Sequence, residues 1–349
     1  MSGCIFPVFL LALFSTVQEL GRCPIDSVVE IAAGRFLPDT VPQLLVREQA
    51  GAVTLCPGPD RSAGIRVPLY RLALLRTVGQ RWEIFWRSGL LLGREAAEIG
   101  FLPDCWAGGD FNGDGRDELF LTAHNRMLVV NFYPDGIIAD SAAGDPGVMA
   151  EAAGVNIEQD GLAELVTLEQ QADSAGRRWL VRIWQLKDSR LVPRGVPLVL
   201  PDSPPGVRFC LLGSARLEDY PGAPVVIAAE FNAIKPSRYY LLYHLSGDSF
   251  LLTSTPFPYD ERFSRKQVLA AGRLSLFNVG DTLVAYGYFV PGTGSGMSFA
   301  ALQDGEWRVL KPRLEPQKTV GLWCRYEQGW LNLRQGRFYL YSEPPFFWR

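Results

Sequence analysis

Gly109-Asp110-Phe111-Asn112-Gly113-Asp114-Gly115-Arg116-Asp117-Glu118-Leu119-Phe120-Leu121 runs an oxygen-rich loop straight into an apolar strand. Asp110, Asn112 and Asp114 alternate, so a tight loop can aim their side-chain oxygens at one point. Gly115 permits a sharp turn, the Arg116 carbonyl follows, and Glu118 adds a further carboxylate. Hard cations, Ca²⁺ above all, take six to eight oxygen ligands from such loops. An exposed turn is the other use of Asp, Asn and Gly in this density. Three oxygen ligands at alternate positions, then Gly and a strand, favour the metal.

Counting decides which calcium loop this is. An EF-hand carries a bidentate Glu at its twelfth position and continues into a helix. The twelfth residue from Asp110 is Leu121, and Leu119-Phe120-Leu121-Thr122 is apolar and β-favouring, with no helical period. A dockerin-type loop fails at the same position. With acids at positions one, five and nine and Asn at three, the stretch resembles the FG-GAP/VCBS repeat family of β-propellers, the family of integrin-alpha-like calcium loops. The family has Asp at position nine where this chain has Glu118. The resemblance implies one Ca²⁺ held by Asp110, Asn112, Asp114, Arg116 (through its carbonyl) and Glu118, between two strands of a blade.

Imperfect copies of the surroundings recur. Ala32-Ala33-Gly34-Arg35-Phe36 leads into Gln43-Leu44-Leu45-Val46, and Ala107-Gly108-Gly109-Asp110 into Glu118-Leu119. Ala152-Ala153-Gly154-Val155-Asn156 leads into Glu164-Leu165-Val166, Gly213-Ser214-Ala215-Arg216 into Pro224-Val225-Val226, and Ala270-Ala271-Gly272-Arg273 into Asp281-Thr282-Leu283. A last unit runs from Gly321 to Tyr341. Aromatic and aliphatic segments follow several copies, among them Met127–Phe132, Trp179–Trp184 and Tyr239–Tyr243. Glycine spacings of mostly about 45 to 60 residues suit four-stranded antiparallel propeller blades. The interval from Gly34 to Gly109 is longer and holds either an insertion or a whole degenerate blade. The expectation is an all-β chain forming a β-propeller of seven blades, six being the alternative, because 349 residues at roughly 50 per blade give seven. Two β-sandwiches are the competing architecture.

In three copies Arg35, Arg216 and Arg273 stand at the first ligand position, and a guanidinium cannot ligate Ca²⁺. The copy after Gly154 offers Asn156, Glu158, Asp160, Gly161 and Glu164 at positions one, three, five, six and nine. It is read as an acidic turn, with a weaker second Ca²⁺ site there as the alternative.

Composition is that of a folded globular chain, and a net charge of −3 gives no electrostatic reason for nucleic-acid binding. Residues 5–14 form an apolar run too short to span a bilayer comfortably, so no membrane span is expected. Residues 1–22 are read as a signal-like segment or, alternatively, as a first strand closing the ring, with 23–349 as one propeller domain. The signal-like reading places the protein outside the cytoplasm. Cys4, Cys23, Cys56, Cys105, Cys210 and Cys324 lack zinc-type spacing. One or two disulfides and buried free thiols are both open.

Only His124 and His244 are available to a His-based triad, which is little material. Gly292-Thr293-Gly294-Ser295-Gly296 misses the nucleophile elbow, because Thr293 and Met297 stand where glycines are needed. The expectation is therefore a non-catalytic, Ca²⁺-binding propeller acting as a scaffold or as a module for a protein or glycan partner. The alternatives are a lectin-like propeller using Trp330, Tyr239 or Tyr240 as sugar platforms, or a carbohydrate-active or other hydrolase or lyase on the same fold.

Overall fold

The computed structural model describes residues 17–39, 41–56, 64–93, 96, 101–123, 126–144, 147–157, 160–173, 176–188, 190–200, 207–216, 224–232, 238–246 and 249–253. It continues through 275–279, 282–287, 298–303, 306–311, 313–314, 321–327, 329–344 and 346. Side chains are described outside 172–177, 201–300, 302–307 and 309. The apolar run 5–14, Cys4, His124, Glu158, the Arg273 copy and the Gly292–Gly296 stretch lie outside the described residues.

The described residues form six antiparallel sheets in chain order. β1 (Val17–Arg22) belongs to the last of them. Blade I holds β2 (Val28–Gly34), β3 (Gln43–Leu55), β4 (Ile65–Val78) and β5 (Arg81–Arg87), with β6 (Leu91–Leu92) pairing β4. Blade II holds β7 (Trp106–Gly109), β8 (Glu118–Ala123), β9 (Arg126–Tyr133) and β10 (Gly136–Ser141). Blade III holds β11 (Val148–Val155), β12 (Glu164–Asp173), β13 (Gly176–Lys187) and β14 (Arg190–Val199). Blade IV runs from β15 (Val207–Arg216) through β16 (Pro224–Asn232) and β17 (Arg238–Ser246) to β18 (Ser249–Thr253). Blade V comprises β19 (Ser275–Val279), β20 (Thr282–Gly287), β21 (Ser298–Gln303) and β22 (Glu306–Val309). Blade VI comprises β23 (Leu322–Tyr326), β24 (Gly329–Arg334), β25 (Arg337–Tyr341) and, at its outer edge, β1.

This is a β-propeller. The first strand of each blade packs on that of the next from blade II to blade VI, and β23 packs on β2. Blades I and II share a core, so the ring closes. Among the described residues there are six sheets, the smaller of the two counts that the repeats allowed. The long Gly34–Gly109 interval is consumed inside blade I, where β3 and β4 reach 13 and 14 residues and β6 adds a fifth strand. Closure comes from pairing β1 along β25, so the propeller includes Val17–Arg22 as well as residues after Cys23.

Alternation of apolar side chains on each strand supplies two buried faces, and the cores lie between neighbouring blades. Phe36 and Leu45 of blade I pack with Leu119, Val130 and Phe132 of blade II. Phe36 and Trp86 both meet Phe132 edge-on, at ring-centroid distances of 5.9 and 5.3 Å, each such pair adding about 0.5–1.5 kcal/mol beyond its buried area. Between blades II and III the backbones come closest. A Cβ on Gly154 would lie 2.1 Å from the Gly108 carbonyl oxygen, and one on Gly109 would lie 2.8 Å from the Ala163 methyl. The small residues that mark each repeat are therefore what lets the inner strands converge.

Among the described residues no helix is long and apolar enough to cross a membrane. Cys23, Cys56, Cys105 and Cys324 are free thiols, with Cys23 and Cys105 buried. Burial pushes the Cys23 thiol up to about 11 and the Cys324 thiol up to about 12, against thiolate chemistry at neutral pH.

Candidate metal centre

The loop at Asp110 joins β7 to β8, the two inner strands of blade II. Gly109 pairs with Glu118 across the ladder, and the same pairing recurs as Gly34 with Gln43 and Val155 with Glu164. The ends of the loop, positions one and nine, thus correspond through blades I to III. Position six carries the turn, where Gly115 has φ +84° and Gly161 φ +96°, a region that a Cβ disfavours.

Position nine is a buried polar anchor in all three copies. Glu118 Oε2 accepts the N–H groups of Phe111 at 2.8 Å and Asn112 at 3.2 Å. Glu164 Oε2 accepts Ile157 N–H at 3.0 Å, and Gln43 Oε1 accepts Leu37 N–H at 2.8 Å. Gln43 had no role in the sequence reading. Its place immediately before an apolar strand, shared with Glu118 and Glu164, was the available signal.

The rest of the blade II loop is organised by its acids. Asp110 Oδ1 accepts from Gly113 N–H at 2.7 Å and Asp114 N–H at 3.1 Å, and Oδ2 from Gly115 N–H at 2.8 Å. Asn112 Oδ1 accepts Asp114 N–H at 2.8 Å, while its Nδ2 donates to Glu118 Oε1 at 2.8 Å. One carboxylate oxygen from each of Asp110, Asp114 and Glu118 lies within 4.8 Å of the others. The structure thus brings together the three acids that the sequence singled out, with Asn112 beside them. The Arg116 side chain pairs with Asp114 Oδ2 at 2.6 Å and lies over the Tyr133 ring.

Electrostatics follow from this crowding. Burial, with the nearby charges of Asp114 and Asp110, pushes Glu118 from its ordinary 4.5 up to about 7, against the opposing pull of the Phe111 and Asn112 amides. Asp114 sits below the ordinary carboxylate range. Its slight burial acts upward, but the Arg116 hydrogen bonds and charge outweigh that. Among the described residues no cation pairs with Glu118. A cation placed among the three oxygens would relieve this repulsion, and a donor set of carboxylates and an amide oxygen, without His or Cys, fits a hard ion. The cluster can therefore hold a metal ion. For Asn112 to join as a ligand, its amide must turn so that Oδ1 replaces Nδ2 near Glu118.

Asp117 stands at position eight of the loop. It does structural work: its Oδ2 accepts Arg35 N–H at 2.6 Å, and its own N–H donates to the Arg35 carbonyl at 2.9 Å. Burial raises its carboxyl above the ordinary range, with Asp110 adding to the effect while the Arg35 amide and charge oppose it.

No protein-family model matches this chain, and no curated protein matches it. Among solved structures, the crystal structure of AofleA from Arthrobotrys oligospora is similar across 84% of this chain and 88% of that chain, with 12% identity and a TM-score of 0.41.

The blade III copy differs in detail. Asp160 Oδ1 accepts Leu162 N–H at 2.9 Å, and Glu164 Oε1 lies 3.1 Å from Arg194 Nη1. Among the described residues it forms no convergent group of three acids. Trp330 is 1% exposed and packs edge-on against Phe346, so it cannot serve as a sugar platform. The side chains of Tyr239, Tyr240 and His244 lie outside the described residues.

Proposed function

We propose that this chain is a non-catalytic, Ca²⁺-stabilised propeller of the FG-GAP/VCBS kind, acting outside the cytoplasm as a scaffold or as a binding module for a protein or glycan. The observation that carries this reading is the convergence of Asp110, Asp114 and Glu118 beside Asn112. Chemistry makes Ca²⁺ the best-suited occupant, since it tolerates irregular oxygen geometry where Mg²⁺ demands a near-ideal octahedron. Asp114 is exposed and Asp110 partly so, which suits the roughly 10⁻⁴–10⁻³ M affinities of extracellular calcium modules. The ion's role is stabilising: it binds the folded loop and not the unfolded chain, adding about 2.7 kcal/mol at a hundred times Kd.

The test is thermal unfolding in chelator and in millimolar CaCl₂. The wild type gains several degrees in Tm, and Asp114→Ala loses most of that gain. Equal shifts in both proteins overturn the assignment.

A further inference from the structure

The blade III copy of the loop keeps the buried anchor, its described residues include no convergent group of three acids, and an arginine stands beside the anchor. Glu164 has a side chain 1% exposed, and its Oε1 receives Arg194 Nη1 at 3.1 Å. In blade II the corresponding oxygen, Glu118 Oε1, accepts from Asn112 Nδ2, and a carboxylate oxygen of Glu118 lies near those of the acids at positions one and five.

The ladders place the two blades in register. Ala107, Phe120, Val129 and Asp140 are successive partners across blade II. Ala153, Val166, Ile183 and Arg194 are successive partners across blade III. Arg194 on the outer strand β14 is therefore the counterpart of Asp140 on β10, with the charge reversed. A basic side chain reaches from the outer edge of blade III to its position-nine glutamate, where blade II has an acid at that rung.

We infer that Arg194 is the resident cation of the blade III loop, filling beside Glu164 the electrostatic role that a metal ion would fill beside Glu118, and that it keeps a metal ion out of that loop. The naming of Ca²⁺ as the ion beside Glu118 rests on the function proposed above. A guanidinium satisfies one buried carboxylate oxygen permanently and independently of the calcium level. One loop thus responds to the ion while its neighbour does not.

The experiment uses the full chain carrying Asp114→Ala, which removes the blade II site, alone and combined with Arg194→Met or Arg194→Lys. Each protein is refolded and melted in chelator and in 10 mM CaCl₂ (roughly a tenfold excess over the Kd of the weakest extracellular calcium modules). Asp114→Ala alone and its Arg194→Lys combination are expected to show no calcium response. The Arg194→Met combination is expected to melt earlier in chelator and to recover several degrees with Ca²⁺, or to refold only when Ca²⁺ is present. If it folds and ignores Ca²⁺, or fails to fold in both buffers, the inference is wrong. The Asp110 assignment is judged separately on the wild type, whose lack of response would remove that assignment and leave the Arg194 result standing by itself.

Discussion

The Ala163 amide donates to the Asp110 carbonyl at 2.7 Å, so the residue at the first position of the candidate metal loop is also bonded to the next blade. Asp117 and Arg35 make the same link one blade earlier, at 2.9 Å. In each case position eight of one loop holds position one of the preceding loop. These two loops thus clasp blade I to blade II and blade II to blade III, and the metal candidate sits between the two clasps.

Fixing Asp110 around an ion should therefore be felt at Ala163. Hydrogen exchange at the Ala163 amide is expected to slow severalfold on adding Ca²⁺ to the wild type and to stay unchanged in Asp114→Ala. Exchange at Gly136, whose turn on the outer side of blade II makes no such link, serves as the control. Unaltered protection at Ala163 in calcium-saturated wild type would separate the ion from the interblade contact.

Stability of the metal-free protein should depend on pH through Glu118. Its folded-state pKa of about 7 lies above the ordinary 4.5, so the folded state holds a proton that the unfolded chain releases. The stabilisation is complete below about 4.5 and is lost as pH rises through about 7. On the proposed assignment calcium should reverse the preference, because the ion would bind the carboxylate. Denaturant titrations in chelator should show the wild type losing stability from pH 4.5 to 7.5, while Glu118→Gln loses less. In CaCl₂ the wild-type decline should shrink. A decline as steep in Glu118→Gln as in wild type would assign the effect to another group.

Much of this was legible in the sequence because the repeat is carried by chemically constrained positions. In blades II and III glycine at position six takes a positive φ, small residues before the loop allow backbone approach, and an apolar strand after it supplies the core. The acids of the Asp110 loop alternate, and alternation is visible in one dimension. Arg194 was not legible, since its partner Glu164 is 30 residues away and the pairing follows from two strand crossings with a bulge between Val181 and Ile183. Six sheets stand among the described residues, the lower of the two expected counts: strand length in blade I is set by the pairing of β3 with β4, and an average blade length cannot register that.

The approach of blades II and III predicts a steep steric penalty at Gly154. Its added Cβ would fall 2.1 Å from the Gly108 carbonyl oxygen and 3.3 Å from Gly109 Cα, and backbone cannot move aside as a side-chain tip can. Gly154→Ala should cost about 1–3 kcal/mol or more, whereas Gly136→Ala, with nothing within 4 Å, should stay within about 0.5 kcal/mol. Chemical denaturation of the two variants checks this. Equal stabilities would mean that the inner strands are not held at this separation.

Ring closure gives the last prediction. β1 pairs with β25 from Val17 with Tyr341 to Arg22 with Arg337, and the Cys23 amide continues the contact by donating to the Gly336 carbonyl at 2.8 Å. Cys23 and Ile25 then enter a core with Trp82 of blade I and Leu331 and Phe338 of blade VI. A chain beginning at Cys23 keeps that core contact but leaves β25 as an open edge, a template for pairing with another molecule. It should melt earlier and over a broader range than the full chain, and should associate on size-exclusion chromatography with light scattering. The ion pair of Arg337 with Glu19 is too exposed to explain such an effect, being worth about 0.2–1 kcal/mol at most, so Glu19→Ala should remain monomeric with nearly unchanged Tm. A truncated chain that is monomeric and melts like the full one would show that the ring closes without β1.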